Sequence, residues 1–458
     1  MSLSIEILVI MLATVFAVIG AGLYAAREVN SAEGYSLNGR SAGVPLIAGS
    51  IAGSIVGGGA TIGTSQLAYT CGLSAWWFTL GAGITFLIMG FLYAKKLRGT
   101  GLATIPEFLA AHYGVRAEEA ASVISSIGTF FSIIASSLSG IQLLSALLGI
   151  PHMAAAGLLI LLVVGYTFFG GMKSAGIGGI LKMGVIFVSL TIAGVSAFLE
   201  LHAMPDAQFA TVFPDMPWLS LAGEGTGTAM ATFLSMMVGV LCTQTYVQAI
   251  FSAATPATAA AGCFAAALLV IPVGLPFIAI GMYMRAFSPD VLPILVLPTY
   301  LVTHENLFIA GVALGGILLS LISSIGGLAL GMGTMISHDI AGVVFRIRSD
   351  RLLLHITKGA VLLILIGSGL FSLYHLESQV LFWNYLSMAL RGGGIFLPMT
   401  LAIFWPGHIA PKWGFASITA STAAAVLAAA MGPLPIDPVF IGLAVSALLL
   451  FLGWLRKK

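Results

Sequence analysis

The stretch IAGSIAGSIVGGGATIG, residues 47–63, decides how the chain is to be read. Gly49, Gly53 and Gly57 recur every four residues, the spacing that lets two membrane helices approach closely. Gly57, Gly58 and Gly59 then follow one another, and three adjacent glycines weaken a helix by about 1 kcal/mol each. Inside lipid an unwound backbone is tolerated only where it is buried in protein or lines a cavity. Two compatible readings stand: close packing alone, or a helix broken at mid-membrane.

The composition places the stretch in a bilayer. The 458 residues are 59% hydrophobic and 7% charged, against about 25% charge in soluble domains. A spanning helix takes about 20 apolar residues. Runs of that length fall at 5–26, 44–70, 73–94, 119–149, 152–170, 175–199, 225–252, 259–284, 305–343, 352–374, 380–405, 411–431 and 436–456. The expected fold is therefore an all-α polytopic membrane protein of about 13 spans, forming one transmembrane domain over residues 1–458. The 305–343 run is too long for one straight span and must tilt, kink or end outside the bilayer. Glu6 and the lack of Lys or Arg before the first run argue for a retained span rather than a cleaved leader.

The connections alternate in charge. Arg27, Arg40, Lys95, Lys96, Arg98, Arg116, Lys173, Arg346, Arg348, Arg351, Lys412, Arg456, Lys457 and Lys458 fall on one side. The 200–224 connection carries Asp206, Asp215 and Glu224 with no Lys or Arg. The positive-inside rule then places the N-terminus outside and the C-terminus in the cytoplasm. The basic residues form no face for nucleic acid, and Cys71, Cys242 and Cys263 form no disulfide or metal pattern. Phosphate-binding and hydrolase signatures are missing, so no enzyme is expected.

Polar groups within the apolar runs are where function is to be sought. Ser320, Ser323 and Ser324 in LLSLISSIGG either bond back to their own helix or offer oxygens to a small hard cation. Lys182, in GGILKMGVIFV, lies about 10 Å inside its run at 1.5 Å per residue, and either snorkels or faces the interior. Arg391, in LSMALRGGGIF, sits near mid-depth with no Asp or Glu at matching depth. Its partner is either an anionic solute or carbonyls freed at Gly392–Gly394.

The chain resembles the sodium/solute symporter family, which includes sodium/proline, sodium/pantothenate and sodium/glucose cotransporters. The resemblance runs from about Ser41 to Trp405. It rests on ATIGTSQLAYTCG after the glycine-rich stretch, TIPEFLAAHYG (Thr104–Gly114), YTFFGG (Tyr166–Gly171), TQTYVQAIFSA (Thr243–Ala253) and SSIGGLALGMGTMISHDI (Ser323–Ile340). It implies a LeuT-like core of two inverted five-helix repeats, 44–199 and 225–405. A first helix and loop at 1–43 and two peripheral helices at 406–458 flank that core. It further implies a sodium site formed by Gly53, Val56, Ser320, Ser323 and Ser324; the departures of this sequence from the family limit the expectation to one sodium ion at most, with no organic cofactor.

Gly57, Gly58, Ala60, Thr61, Phe78, Gln244, Tyr246, Asn384, Ser387 and Arg391 become candidate solute-site residues by the same resemblance. The sequence departs from the family at Gly179, where relatives carry aspartate, and at Lys182, where they often carry glutamine. Gly326, Gly327 and Ala249 also replace polar or basic family residues. Lys182 lies one turn beyond Gly179 on the same face, so its ammonium is placed to reach the sodium site. The resulting expectation is a sodium-driven importer of a small organic solute, an anion such as a carboxylate, in a bacterial or archaeal cytoplasmic membrane. Proton coupling through Lys182 is the first alternative and a non-transporting solute-sensing subunit the second. The partners are a small-molecule solute and the lipid bilayer, with no nucleic acid; oligomeric state stays open.

Overall fold

The computed structural model describes residues 3–25, 32–167, 171–431 and 437–456. Arg27, Lys457, Lys458 and the centre of the YTFFGG turn lie outside them. The described residues are almost entirely helical, and helix occupies each of the thirteen apolar runs. In chain order these are α1 (Ile5–Ala25), α2 (Val44–Ile55), α3 (Thr64–Cys71), α4 (Trp77–Ile88), α5 (Ile105–Tyr113), α6 (Val115–Leu148), α7 (His152–Thr167) and α8 (Gly171–His202). There follow α9 (Thr226–Leu241), α10 (Gln244–Phe251), α11 (Pro256–Phe287), α12 (Val296–His304), α13 (Leu307–Met335), α14 (Asp350–Leu373), α15 (Val380–Phe404), α16 (Pro411–Ala430) and α17 (Pro438–Leu455). By length and apolarity alone eight helices qualify as spans among the described residues, or nine if the bent pair α9–α10 is one. The number thirteen is thus a count of apolar runs, several of which are divided into shorter helices.

The division follows the sequence. Val56 leaves the helical region at φ −78°, ψ 74°, and the Gly57 amide turns to the Ile55 carbonyl at 2.9 Å. The Gly53 carbonyl thereby loses its usual acceptor role within the helix. Residues 59–63 then form one wide, π-type turn before α3 resumes. The broken-helix reading of the glycine run is what the chain adopts. A second break, of 44°, separates α9 from α10 at Cys242–Thr243. The long 305–343 run is α13 continued through a wide turn, Ile336–Val344.

Burial orders the helices from inside to out. The apolar window of α13 is 83% buried, against 28% in α17, so α13 is an axis and α17 a lipid-facing border. Close packing of α2 on α8 depends on glycine at both crossing points. A Cβ on Gly179 would stand 2.0 Å from the Gly49 carbonyl oxygen, and one on Gly49 would stand 2.5 Å from that of Gly176. Helix α12 had no counterpart in the sequence reading. It buries Leu297, Tyr300 and Leu301 beside α3 and α11, covering the 200–224 side of the broken helix.

Candidate functional site

The break after Ile55 turns backbone carbonyls toward α8 and α13. Lys182 rises from α8 into this gap and is fully buried. Its ammonium donates to Gly53 O at 2.6 Å, Val56 O at 2.7 Å and Ser323 Oγ at 2.6 Å, with Ser320 O at 3.3 Å. An ammonium has three protons, and three short acceptors meet them. Ser320 Oγ donates to Val56 O, which fixes that carbonyl from its other side. Lys182 therefore points inward and does not snorkel. It stands among four of the five residues expected to hold sodium. Ser324 is the exception: its hydroxyl turns to Ser54 O at 2.6 Å, away from the ammonium.

The contact between α2 and α8 explains this arrangement. Where the resemblance implies an aspartate, Gly179 leaves no room for any side chain. The two helices close on one another, and Lys182, one turn on, is carried into the cradle. A hard cation bound by oxygens and this ammonium would occupy the same oxygens, and two unit charges about 4 Å apart repel by several kcal/mol in a protein interior.

On the other face of the broken helix lies a polar cavity of about 10 Å³, lined among others by Gly57, Gly59, Phe78, Ser132, Tyr246 and Asn384. Room for one water takes about 10–15 Å³, so the cavity is contracted in this conformation. Ser324 and Ser136 complete its polar wall. Phe78 meets Tyr385 edge-on at 6.1 Å, separating it from a second pocket of about 30 Å³ lined by Trp77, Leu221 and Glu224. Trp77 Nε1 donates to Leu221 O at 2.7 Å, and Arg285 lies 5.7 Å from both the Tyr69 and Trp218 rings. The 200–224 connection thus seals this side. Larger grooves, of about 630 and 450 Å³, lie between peripheral helices and gather no comparable polar set.

Of the expected solute-site residues, Gly57, Phe78, Tyr246 and Asn384 do surround the cavity. Gly58 and Ala60 belong to the same buried turn, and Thr61 Oγ1 is committed to Gly57 O at 2.8 Å. Gln244 is elsewhere. Its Oε1 accepts from Ile105 N at 2.9 Å and its Nε2 donates to Ala103 O at 3.2 Å, so it pins the loop before α5 rather than a solute. Ser387 and Arg391 lie one and two turns along α15 from Asn384. Ser387 bonds Gly128 O and, at 2.7 Å, Ser132 Oγ.

Arg391, 1% exposed, donates to Ser387 O at 3.2 Å, Ser132 Oγ at 3.3 Å and Thr129 Oγ1 at 3.4 Å. Among the described residues no carboxylate pairs with it. Helix α15 also runs unbroken through Gly392–Gly394, so carbonyls freed at a glycine break do not satisfy Arg391. Sequence reasoning missed Ser132 and Ser136, whose signal was the serine run SSLSG and its neighbours on an otherwise apolar helix.

Comparison with known proteins agrees with this architecture. The sequence model of the sodium:solute symporter family matches residues 35–410. The mouse high affinity choline transporter 1 is 25% identical over 295 residues, 61% of this chain and 50% of that protein. The sodium/proline symporter of Staphylococcus aureus (strain JH9) is 29% identical over 205 residues, 42% of this chain and 40% of that protein. The chain spans about half the length of the curated relatives it matches. Among solved structures, that of a Na+-coupled sialic acid symporter, substrate-bound and outward-open, superposes with a TM-score of 0.84 at 16% identity. It covers 99% of this chain and 97% of that one. The nucleobase-cation-symport-1 family transporter Mhp1, in a closed conformation, gives 0.58 at 13% identity, covering 94% of this chain and 96% of that one. The fold is LeuT-like.

Proposed function

The chain belongs to the sodium:solute symporter family, and on that premise we propose that it is a secondary-active symporter. It imports a small organic solute by alternating access, with a single monovalent-cation cradle formed by Gly53, Val56, Ser320 and Ser323. The observation that carries this reading is the Lys182 ammonium in the cradle, back to back with the solute cavity across one broken helix. Residues 53–59 contribute to both. A cation that pulls on the Gly53 and Val56 carbonyls therefore acts on the Gly57–Gly59 wall of the cavity, and the coupling needs no longer path.

The family favours sodium as the driving ion. Sodium would take the same four oxygens, on condition that Lys182 withdraws or loses its proton. The position of Lys182 favours a second reading, in which the proton carried by the lysine is itself the coupling charge. The first reading has a direct consequence: sodium and the protonated lysine compete for the same oxygens. Arg391, buried without a carboxylate, supports an anionic solute, a carboxylate being the simplest, whose charge the guanidinium would meet inward of the cavity. The charge asymmetry of the connections supports an N-terminus outside and a C-terminus in the cytoplasm of a bacterial or archaeal cytoplasmic membrane.

Uptake into proteoliposomes tests the reading. Labelled small carboxylates are offered under an imposed sodium gradient and, separately, under a proton gradient. The expected result is saturable accumulation above equilibrium under at least one gradient. Accumulation under a proton gradient alone, lost in Lys182→Gln, selects the second reading. Equilibration without accumulation, or no uptake of any solute that binds, overturns the transport assignment in favour of a channel or a solute-sensing subunit.

A further inference from the structure

Away from the cradle and the cavity, on the side of the bundle carrying the 94–118 connection, three metal-ligating side chains converge. They are Glu118, in the first turn of α6, and His338 and Asp339, in the wide turn that ends α13. One donor atom from each lies within 4.8 Å of the other two. Asp339 is fully buried and Glu118 is 4% exposed. Asp339 Oδ1 accepts from Thr104 Oγ1 at 2.8 Å and lies 2.9 Å from His338 Nδ1. Its Oδ2 has no hydrogen-bond partner, and neither has Glu118 Oε1. Among the described residues no lysine or arginine pairs with either carboxylate. Buried carboxylate oxygens without donors are costly, and two such carboxylates in one cluster ask for a shared cation.

We propose that Glu118, His338 and Asp339 form a binding site for a divalent transition-metal ion of the zinc class. One imidazole nitrogen and two carboxylate oxygens suit such an ion, whereas calcium takes six to eight oxygens and magnesium keeps a largely hydrated octahedral shell. Ligands held at about 2.0–2.2 Å from a metal lie at most about 4.4 Å apart, close to the span within which the three donors already lie. The His338 side chain is 41% exposed, which gives the metal a way in. Thr104 orients the Asp339 carboxylate by donating to its other oxygen, the outer-shell role that fixes ligand geometry in metal sites. Because Thr104 also caps α5 through Glu107 N, a bound ion ties α6, the end of α13 and the loop before α5 into one unit. Gln244 pins that same loop to α10, which links the site to the second broken helix.

The test uses the full chain, purified without an affinity tag that binds metal, stripped with chelator and titrated with Zn2+, Mn2+ and Mg2+ by calorimetry. The expected result is one Zn2+ per chain, bound at least tenfold more weakly in Glu118→Gln and in His338→Gln, with no comparable Mg2+ binding. Monodisperse elution without metal verifies that each variant folds. Should Glu118→Gln fail that check, His338→Gln at its half-exposed position carries the same test. No stoichiometric Zn2+ binding, or binding unchanged in the variants that fold, overturns the site.

Discussion

Among the described residues two buried cations lie within this bundle, and they are held in opposite ways. Lys182 presents three protons to three oxygens at 2.6–2.7 Å, two of them carbonyls released where α2 unwinds. Arg391 presents five donors on the unbroken α15, and the three contacts it makes are longer, at 3.2–3.4 Å. The first cation is satisfied by the protein. The second retains donor capacity and has no counter-charge among the described residues. A buried charge is costly unless it is paired and hydrogen-bonded, and Arg391, at 1% exposure, is met only in part. The contrast is between a cation whose donors the protein fills and one whose donors it fills incompletely.

The comparison can be broken most severely at the helix crossing that sustains it. Gly179→Val places side-chain carbon against the Gly49 carbonyl, where even a Cβ stands at 2.0 Å. Overpacking of this kind costs about 1–3 kcal/mol or more, and loss of all cation response and of most folded protein is expected in melting and uptake assays. A variant with parental melting temperature would show that the crossing is not rigid.

Next in size is Arg391→Gln, which is expected to weaken an anionic solute by at least about 100-fold, since charge-assisted hydrogen bonds contribute about 1.5–3 kcal/mol each. The sodium response of the melting temperature should survive it. Retained solute affinity would reduce Arg391 to a structural group. Ser323→Ala removes one of the three short acceptors of the ammonium and should shift apparent sodium affinity by about tenfold, corresponding to about 1.4 kcal/mol. An unchanged sodium titration would remove Ser323 from the cradle. The smallest effect concerns Gln244→Ala, which should lower the melting temperature while leaving solute affinity within about twofold, because its hydrogen bonds go to Ala103 and Ile105.

The helices and the broken α2 were legible because their signals are local: run length for the spans, and adjacent glycines for the break. The resemblance pointed to Gly53, Val56, Ser320, Ser323 and Ser324 as a set, and the fold gathers the first four around the Lys182 ammonium while Ser324 turns to Ser54. What occupies the cradle was only half legible. The spacing of Gly179 and Lys182 suggested reach, but the length of that reach depends on how closely α8 meets α2, a property of both helices at once. Gln244 was a solute-site candidate through the resemblance alone, and only the fold shows that the loop at 103–105 lies within its reach. Helix α12 went unforeseen because ILVLPTYLV is too short for a span and carries no polar alternation.

Under the proposed function, sodium and the Lys182 ammonium share one cradle. The most direct test of that sharing is the melting temperature of the purified chain titrated with sodium at pH 6 and at pH 8.5. Ionic strength is held with N-methylglucamine rather than choline, because relatives are named for choline. A ligand that binds only the folded state stabilises it by RT ln(1 + [L]/Kd), so the titration reports sodium affinity without knowledge of the solute. Competition predicts tighter apparent sodium binding at the higher pH, and in Lys182→Gln a tighter affinity that no longer depends on pH. A sodium affinity equal at both pH values and unchanged in Lys182→Gln would contradict the shared cradle.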